Sequence, residues 1–276
     1  MITSTSNAAV KNVVNLCKKA KERIEQGLFI VEGPKMFVEL PAERLKAAYV
    51  SESFVRQNPE FWQQQTERLA GEVKAAGMDS LPAIQTVSDA VCKAMSDTQT
   101  PQGIICVVRR FDYRYEDLLG PDAAKPPLCM ILEDVRDPGN LGTIVRTAEG
   151  AGVTGILLSR GCVDIYNPKV IRSTMGSVYR VPFAYTDDLP GILGSWKRSG
   201  MRLFAAHLRG RCSYTQEDYR QSAGFLIGNE SRGLTDELAA MADHLIRIPM
   251  QGKVESLNAS VAAAILMYEA ARQRVG

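Results

Sequence analysis

A chain of 276 residues, 45% of them hydrophobic, can bury one large core or two modest ones, and its length favours two domains. A net charge of +2 does not by itself mark a nucleic-acid-binding protein, so any such site must come from local clustering. Two histidines and six cysteines without a CxxC pair point to neither a disulfide framework nor a metal site. No stretch approaches the roughly 20 apolar residues of a membrane helix, and the opening MITSTSNAAVKNVV has no signal-like apolar run. A cytoplasmic globular protein with mostly reduced, buried cysteines is expected.

In chain order, Asn7 reads as the N-cap of one amphipathic helix that ends at Gly27, with Val10, Val13, Val14, Cys17 and Ile24 on its apolar side. Its far side carries Lys18, Lys19, Lys21 and Arg23, a basic cluster that is either a solvated face or an RNA contact. LFIVEG and KAAYVS read as strands, followed by a helix from about Pro59 to Ala76, the strand IQTV, the helix SDAVCKAM and the strand GIICVV. Together they predict a compact α/β domain over 1–110. The Gly-Pro and Pro-Pro steps of FDYRYEDLLGPDAAKPP mark a linker over 111–127.

From Leu128 a second alternation runs to the end, giving a domain over 128–276. LCMILEDV, GILLS, RLFAAHL, AGFLIGNE and HLIRIPM are nearly continuous apolar runs separated by helical patterns, the last from about Ser256 to Arg274. Such strands imply a parallel sheet covered on both faces. A fragment starting near Tyr113 is expected to fold without the first domain.

No GxGxxG dinucleotide turn, P-loop, GxSxG elbow or HExxH helix is present. What remains is three polar clusters at the C-terminal ends of apolar strands, where open α/β sheets bind ligands. RDPGNLGTIVRTA (136–148) places Asn140 at a helix start; if it caps that helix, Leu141, Ile144, Val145 and Ala148 form the buried stripe and Arg146 projects away from it. FLIGNESRGL carries Gly228, Glu230 and Gly233, and IRIPMQGKVESLNAS carries Ile248, Met250, Ser256, Leu257 and Asn258. Singly each has an ordinary account: Asn140 and Ser256 as helix caps, Glu230 as a first-turn acid.

Together and in this order, the clusters resemble the SpoU (TrmH-like) class of SPOUT RNA methyltransferases. Pro138, Asn140, Gly142 and Arg146 match its first motif, Gly228, Glu230 and Gly233 the second, and Ile248-Pro249-Met250 with Ser256-Leu257-Asn258 the third. The first domain is similar to the family's L30e-like substrate-binding domain, through TSTSNAAVKNVVNLCKKAKER, GLFIVEGPKMFVEL and MSDTQTPQGIICVV.

The resemblance implies an α/β fold with a trefoil-knotted, parallel-sheet SPOUT domain that dimerises with a second copy and needs no metal. It implies S-adenosylmethionine as cofactor, held by Gly228, Ile248, Leu257, Met250 and the backbone near Ala206. It implies methylation of a ribose 2′-hydroxyl, with Asn140, Glu230, Ser256 and Asn258 as a polar frame around Arg146. Because a guanidinium keeps its proton, Arg146 is expected to clamp the phosphate and the developing alkoxide. RNA contacts fall to Lys18, Lys19, Lys21 and Arg23, joined by Arg172 and Ser173 of NPKVIRSTMGS. The L30e-like domain favours ribosomal RNA; a transfer RNA methyltransferase of the same class and a non-catalytic RNA-binding or ribosome assembly factor are the alternatives.

Overall fold

The computed structural model describes residues 1–77, 82–122 and 124–275. The chain forms two compact units, Met1–Phe111 with Tyr166–Tyr179, and Asp112–Ile165 with Arg180–Gly276.

The first unit contains α1 (Ala8–Lys18), α2 (Ala20–Gln26), β1 (Leu28–Glu32), α3 (Pro34–Glu39), β2 (Leu45–Ser51), α4 (Glu52–Gln57), α5 (Pro59–Ala75), β3 (Ala83–Val87), α6 (Asp89–Met95) and β4 (Ile104–Arg109). Its sheet has the order β1-β4-β2-β3, with β4 antiparallel to both neighbours and β2 parallel to β3. Val10, Val13 and Leu16 of α1 and Val91, Cys92 and Met95 of α6 pack over Leu28, Ile30, Tyr49 and Val107. The Asn7 side chain caps α1 by accepting from the Ala9 N–H at 2.8 Å, as the sequence predicts.

The single helix expected up to Gly27 is instead two. Lys19 is extended (φ −121°, ψ 114°) and divides α1 from α2, and Gly27 at φ 63° ends α2 in the left-handed conformation that glycine tolerates. After the break the apolar period fails, so Ile24 is 64% exposed while Arg23 turns inward.

The second unit contains β5 (Leu128–Leu132), α7 (Pro138–Gly150) and β6 (Gly155–Ser159); the chain then passes through α8 (Pro168–Thr174) before β7 (Phe183–Thr186). It continues with α9 (Leu189–Arg198), β8 (Arg202–Ala206), β9 (Cys212–Ser213), β10 (Ala223–Ile227), α10 (Asp236–Met241), β11 (His244–Arg247) and α11 (Ala259–Val275). The sheet order is β7-β6-β5-β10-β8-β11-β9 and every pairing is parallel. The five apolar runs are its strands β5, β6, β8, β10 and β11, and β5 and β10 are buried throughout. Strand order reverses between β5 and β10, the kind of switch point at which open α/β sheets bind ligands.

Two segments lie elsewhere than the sequence pattern implies. The stretch read as a linker forms a 3-10 turn over Tyr115–Leu119, and fully buried Leu118 packs so closely on β6 that a Cβ at Gly155 would strike it. Residues 166–179, sequentially inside the second domain, belong to the first unit. Tyr166, Val170, Ile171, Val178 and Tyr179 are buried, the Tyr166 hydroxyl bonds both the N–H and the C=O of Phe111, and the Tyr179 hydroxyl donates to the Met36 carbonyl. Five of the six cysteines are buried and Cys212 is exposed, and all are free. Among the described residues no helix is long and apolar enough to cross a membrane.

Candidate active site

The loops after β5 and β10 are held together first by their own backbone and carboxylates. The Glu133 N–H donates to the Ile227 carbonyl at 2.9 Å, and the Glu133 side chain accepts from the N–H and hydroxyl of Thr235 at 2.8 and 2.9 Å. The Asn229 side chain donates to the Asp134 carbonyl at 2.8 Å and accepts from the N–H groups of Ser231 and Arg232. This folds residues 229–233 into a tight hairpin closed by two Asn229–Gly233 backbone bonds. A Cβ at Gly228 would strike the Gly233 carbonyl carbon and the Leu234 nitrogen. Glycine is therefore required at 228 by the chain's own fold, a constraint separate from any approach to a ligand.

Across these loops runs a line of three side chains. Asn140 Nδ2 donates to Glu230 Oε1 at 3.0 Å, and Asn258 Nδ2 donates to Asn140 Oδ1 at 2.9 Å. Asn258 Oδ1 then accepts from the N–H of Ser260 at 2.9 Å, the Ser260 hydroxyl at 2.6 Å and the Val261 N–H at 3.4 Å. An ionised carboxylate only accepts, so the Asn140 amide must face it with nitrogen, which fixes the orientation of Asn258 in turn. The Glu230 carboxylate also accepts from the N–H groups of Arg136 at 3.3 Å and Asp137 at 3.1 Å. Burial pushes the Glu230 carboxyl up, but these donors outweigh burial and hold it below the ordinary carboxylate range.

Three expected roles change. The cap of α7 is Asp137, whose Oδ1 accepts from the Asn140 N–H at 2.8 Å, and Asn140 itself lies inside the first turn, 8% exposed. Asp137-Pro138, a capping acid before a proline in the first turn, was the local signal for this start. The cap of α11 is Asn258 and not Ser256, since Asn258 meets the first free N–H groups. Glu230 precedes α10, which begins at Asp236, so it serves the Asn140 line and not a helix dipole.

Arg146 and Ser256 do not join that line. Leu141, Ile144, Val145 and Ala148 form the buried stripe of α7, and Arg146 on the other side is exposed with no hydrogen bond or ion pair among the described residues. Ser256 is likewise exposed and without a hydrogen bond among the described residues.

The motif-bearing loops sit together on one hydrogen-bonded line, and the comparisons with known proteins name the family. Residues 127–268 match the SpoU rRNA Methylase family, and residues 7–106 match the MRM3-like substrate binding domain. The chain belongs to the SpoU rRNA methylase family. It is 32% identical to an uncharacterized tRNA/rRNA methyltransferase of Synechocystis over 99% of this chain and 94% of that one. It is 30% identical to the 23S rRNA (guanosine(2553)-2′-O)-methyltransferase RlmP of Bacillus subtilis over 97% of both. The crystal structure of an AdoMet-bound rRNA methyltransferase from Sinorhizobium meliloti superposes with a TM-score of 0.82 at 32% identity, covering 98% of this chain and 97% of that one.

The SpoU chain presents a partly apolar surface at the ends of β8, β10 and β11. Ala206, Gly228, Ile248, Met250 and Leu257 are all half-buried, and Leu208 is 72% exposed. Among the described residues, 249–257 make no hydrogen bond to the rest of the chain, so their backbone donors and acceptors stay available beside apolar side chains. Apolar contact surrounding a few polar backbone groups fits the adenosine of S-adenosylmethionine.

The expected RNA-binding residues all lie in the first unit and separate into two kinds. Lys18, Lys19 and Lys21 are exposed. Arg23 is not part of their face: it is 3% exposed, and its Nη1 donates to the carbonyls of Leu16 at 2.7 Å and Cys17 at 3.2 Å, closing the end of α1. Arg172 is half-buried and paired with Asp97 at 3.0 Å, and the Ser173 hydroxyl donates back to the Lys169 carbonyl at 2.9 Å.

Proposed function

We propose that this protein is an S-adenosylmethionine-dependent RNA methyltransferase that methylates a ribose 2′-hydroxyl, with ribosomal RNA as its substrate class. The observation that carries the reading is the Glu230–Asn140–Asn258 line, which ties one residue of each motif into a single frame. A relative matched over 97% of both chains carries a 23S rRNA 2′-O-methyltransferase name, which supports the same chemistry. Gly228, Ile248, Leu257, Met250 and the backbone at Ala206 hold the cofactor, and Lys18, Lys19 and Lys21 meet RNA. A trefoil knot and a cytoplasmic location belong to the same reading. So does a homodimer through the second unit: α11 buries Ala263, Leu266, Met267 and Ala270 yet leaves Val261 and Tyr268 exposed, an apolar helix with a further face to cover.

S-adenosylmethionine, when bound, supplies a methyl carbon activated by its sulfonium charge. The chain's residues align the hydroxyl and stabilise the charge that grows on its oxygen. Arg146, exposed and unpaired among the described residues, is available to clamp the phosphate and the alkoxide; a guanidinium keeps its proton and does not act as the base. Glu230 is unsuited to that task as well, because its oxygens already accept from Asn140 and two N–H groups and its proton affinity is lowered. It positions the loop, and the proton leaves to the RNA phosphate or to solvent.

The test incubates the full chain with methyl-labelled cofactor and unmodified transcripts of ribosomal and transfer RNA. Label in ribosomal RNA, with one gap in the alkaline hydrolysis ladder, is the expected result, since cleavage needs a free 2′-hydroxyl. Label confined to transfer RNA would move the substrate class, label on a base would overturn the ribose chemistry, and RNA binding without label would identify a binding factor.

A further inference from the structure

Asp134 is one of two non-glycine residues with positive φ (54°) among those described, and it sits in the loop whose Arg136 and Asp137 N–H groups donate to Glu230. L side chains avoid that region, and such residues persist where the surroundings over-determine them. Here the Asp134 N–H donates to the Ser159 hydroxyl at 2.9 Å, that hydroxyl donates to Asp134 Oδ1 at 2.9 Å, and the Asp134 carbonyl accepts from Asn229. Gly161 leaves room for the carboxylate, which a Cβ there would strike. The other oxygen, Oδ2, faces two arginines from two different loops, Arg136 at 3.5 Å and Arg232 at 3.6 Å, whose side chains are 63% and 68% exposed.

We propose that Arg136 and Arg232 form a two-armed site for an RNA phosphodiester beside the methyl-transfer frame, with Asp134 holding the arms together until phosphate takes its place. Both arms are rooted at or beside the frame: the Arg136 N–H donates to Glu230, and the Arg232 N–H donates to Asn229, the residue before Glu230. Long, exposed pairs of this kind exchange readily, while two guanidinium groups aimed at one oxygen match the geometry of a phosphate. A phosphate held there fixes the backbone next to the ribose that meets Arg146. The site rests on the RNA-methyltransferase reading and names the part of the second unit that grips the substrate.

The test compares the full chain with R136Q/R232Q and R136K/R232K, using a 23S ribosomal RNA transcript in filter-binding titrations over several salt concentrations. The glutamine variant should bind about tenfold more weakly, with a log–log salt slope shallower by roughly one, and its KM for RNA should rise while calorimetric cofactor affinity holds. The lysine variant should keep the salt slope but regain only part of the affinity, because lysine lacks the forked donor geometry. Unchanged affinity and slope in R136Q/R232Q would overturn the site while leaving methyl transfer by the parent chain intact. Absence of methyl transfer by the parent chain would overturn the functional reading instead, and a binding loss in the variant would still support the phosphate site.

Discussion

Arg146 stands exposed on α7 without a partner among the described residues, whereas Asn140, earlier on the same helix, is buried between Glu230 and Asn258. Replacing them should therefore separate chemistry from stability. Arg146→Ala is expected to leave the melting temperature and cofactor affinity nearly unchanged and to lower turnover by about 10²-fold or more, read by calorimetry and single-turnover rates. Near-normal turnover would remove Arg146 from the site. Glu230→Gln should act on both, because the amide presents N–H to donors that need an acceptor. Glu230 is held below its ordinary proton affinity in the folded chain, so its stabilisation is fully present above the unfolded carboxylate value and fades as pH falls through the folded one. At neutral pH the variant should lose about 1 kcal/mol after solvent screening, and the gap should close on acidification below the usual carboxylate range near about 4. A gap independent of pH would show that the carboxylate charge does not hold the frame. The motif residues were legible as residue types, but their partnerships span 90 and 118 positions and leave no local trace. Asp134, Arg136 and Arg232 carry no sequence signal for the same reason, since a loop carboxylate and two loop arginines look like ordinary surface charge.

At the scale of elements, parallel strands covered on both faces announce themselves as nearly continuous apolar runs, and five of the second unit's seven strands are readable that way. The four-residue β7, preceded by Pro182, and the two-residue β9 at the edge are too short to produce such a signal. The first helix misled in the opposite direction: its composition continues past Lys19, but the backbone does not. That break gives its four basic residues two separate fates. Charge reversal of Lys18, Lys19 and Lys21 should weaken RNA binding and flatten its salt dependence by roughly 0.7–0.9 for each phosphate left without a cation, with little change in melting temperature. Arg23→Met should do the reverse and cost about 1–3 kcal/mol of stability, because the carbonyls of Leu16 and Cys17 lose their donor. Filter binding and thermal denaturation of the two variants decide it; equal loss of RNA affinity in both would return Arg23 to the binding face.

At the scale of the whole molecule, chain order and packing order disagree. The two expected domains follow the sequence, yet residues 166–179 pack with the first unit while the chain on either side of them forms β6 and β7 of the second. Nothing in NPKVIRSTMGSVY distinguishes a helix that covers its own sheet from one that covers another, since amphipathic periodicity names an apolar face without naming its partner. The consequence is that a fragment beginning near Tyr113 would carry Tyr166, Val170, Ile171, Val178 and Tyr179 without the residues that bury them, and would expose Ile171 and Val170 to water together. Burying side chains of this size contributes about 1.5–3 kcal/mol each, and an uncovered cluster promotes association. Residues 112–276 alone should thus be poorly soluble or bind a hydrophobic dye. The same fragment with 166–179 replaced by a short Gly/Ser connection should recover solubility and, on the functional reading, cofactor binding. The complementary fragment 1–111 should be destabilised, because the Phe111 backbone and the Met36 carbonyl lose the tyrosine hydroxyls that bond them. Dye binding, sedimentation and calorimetry on the three fragments give the answer. A monodisperse, dye-negative 112–276 fragment would show that 166–179 does not need the first unit, and the chain could then be treated as two domains in series.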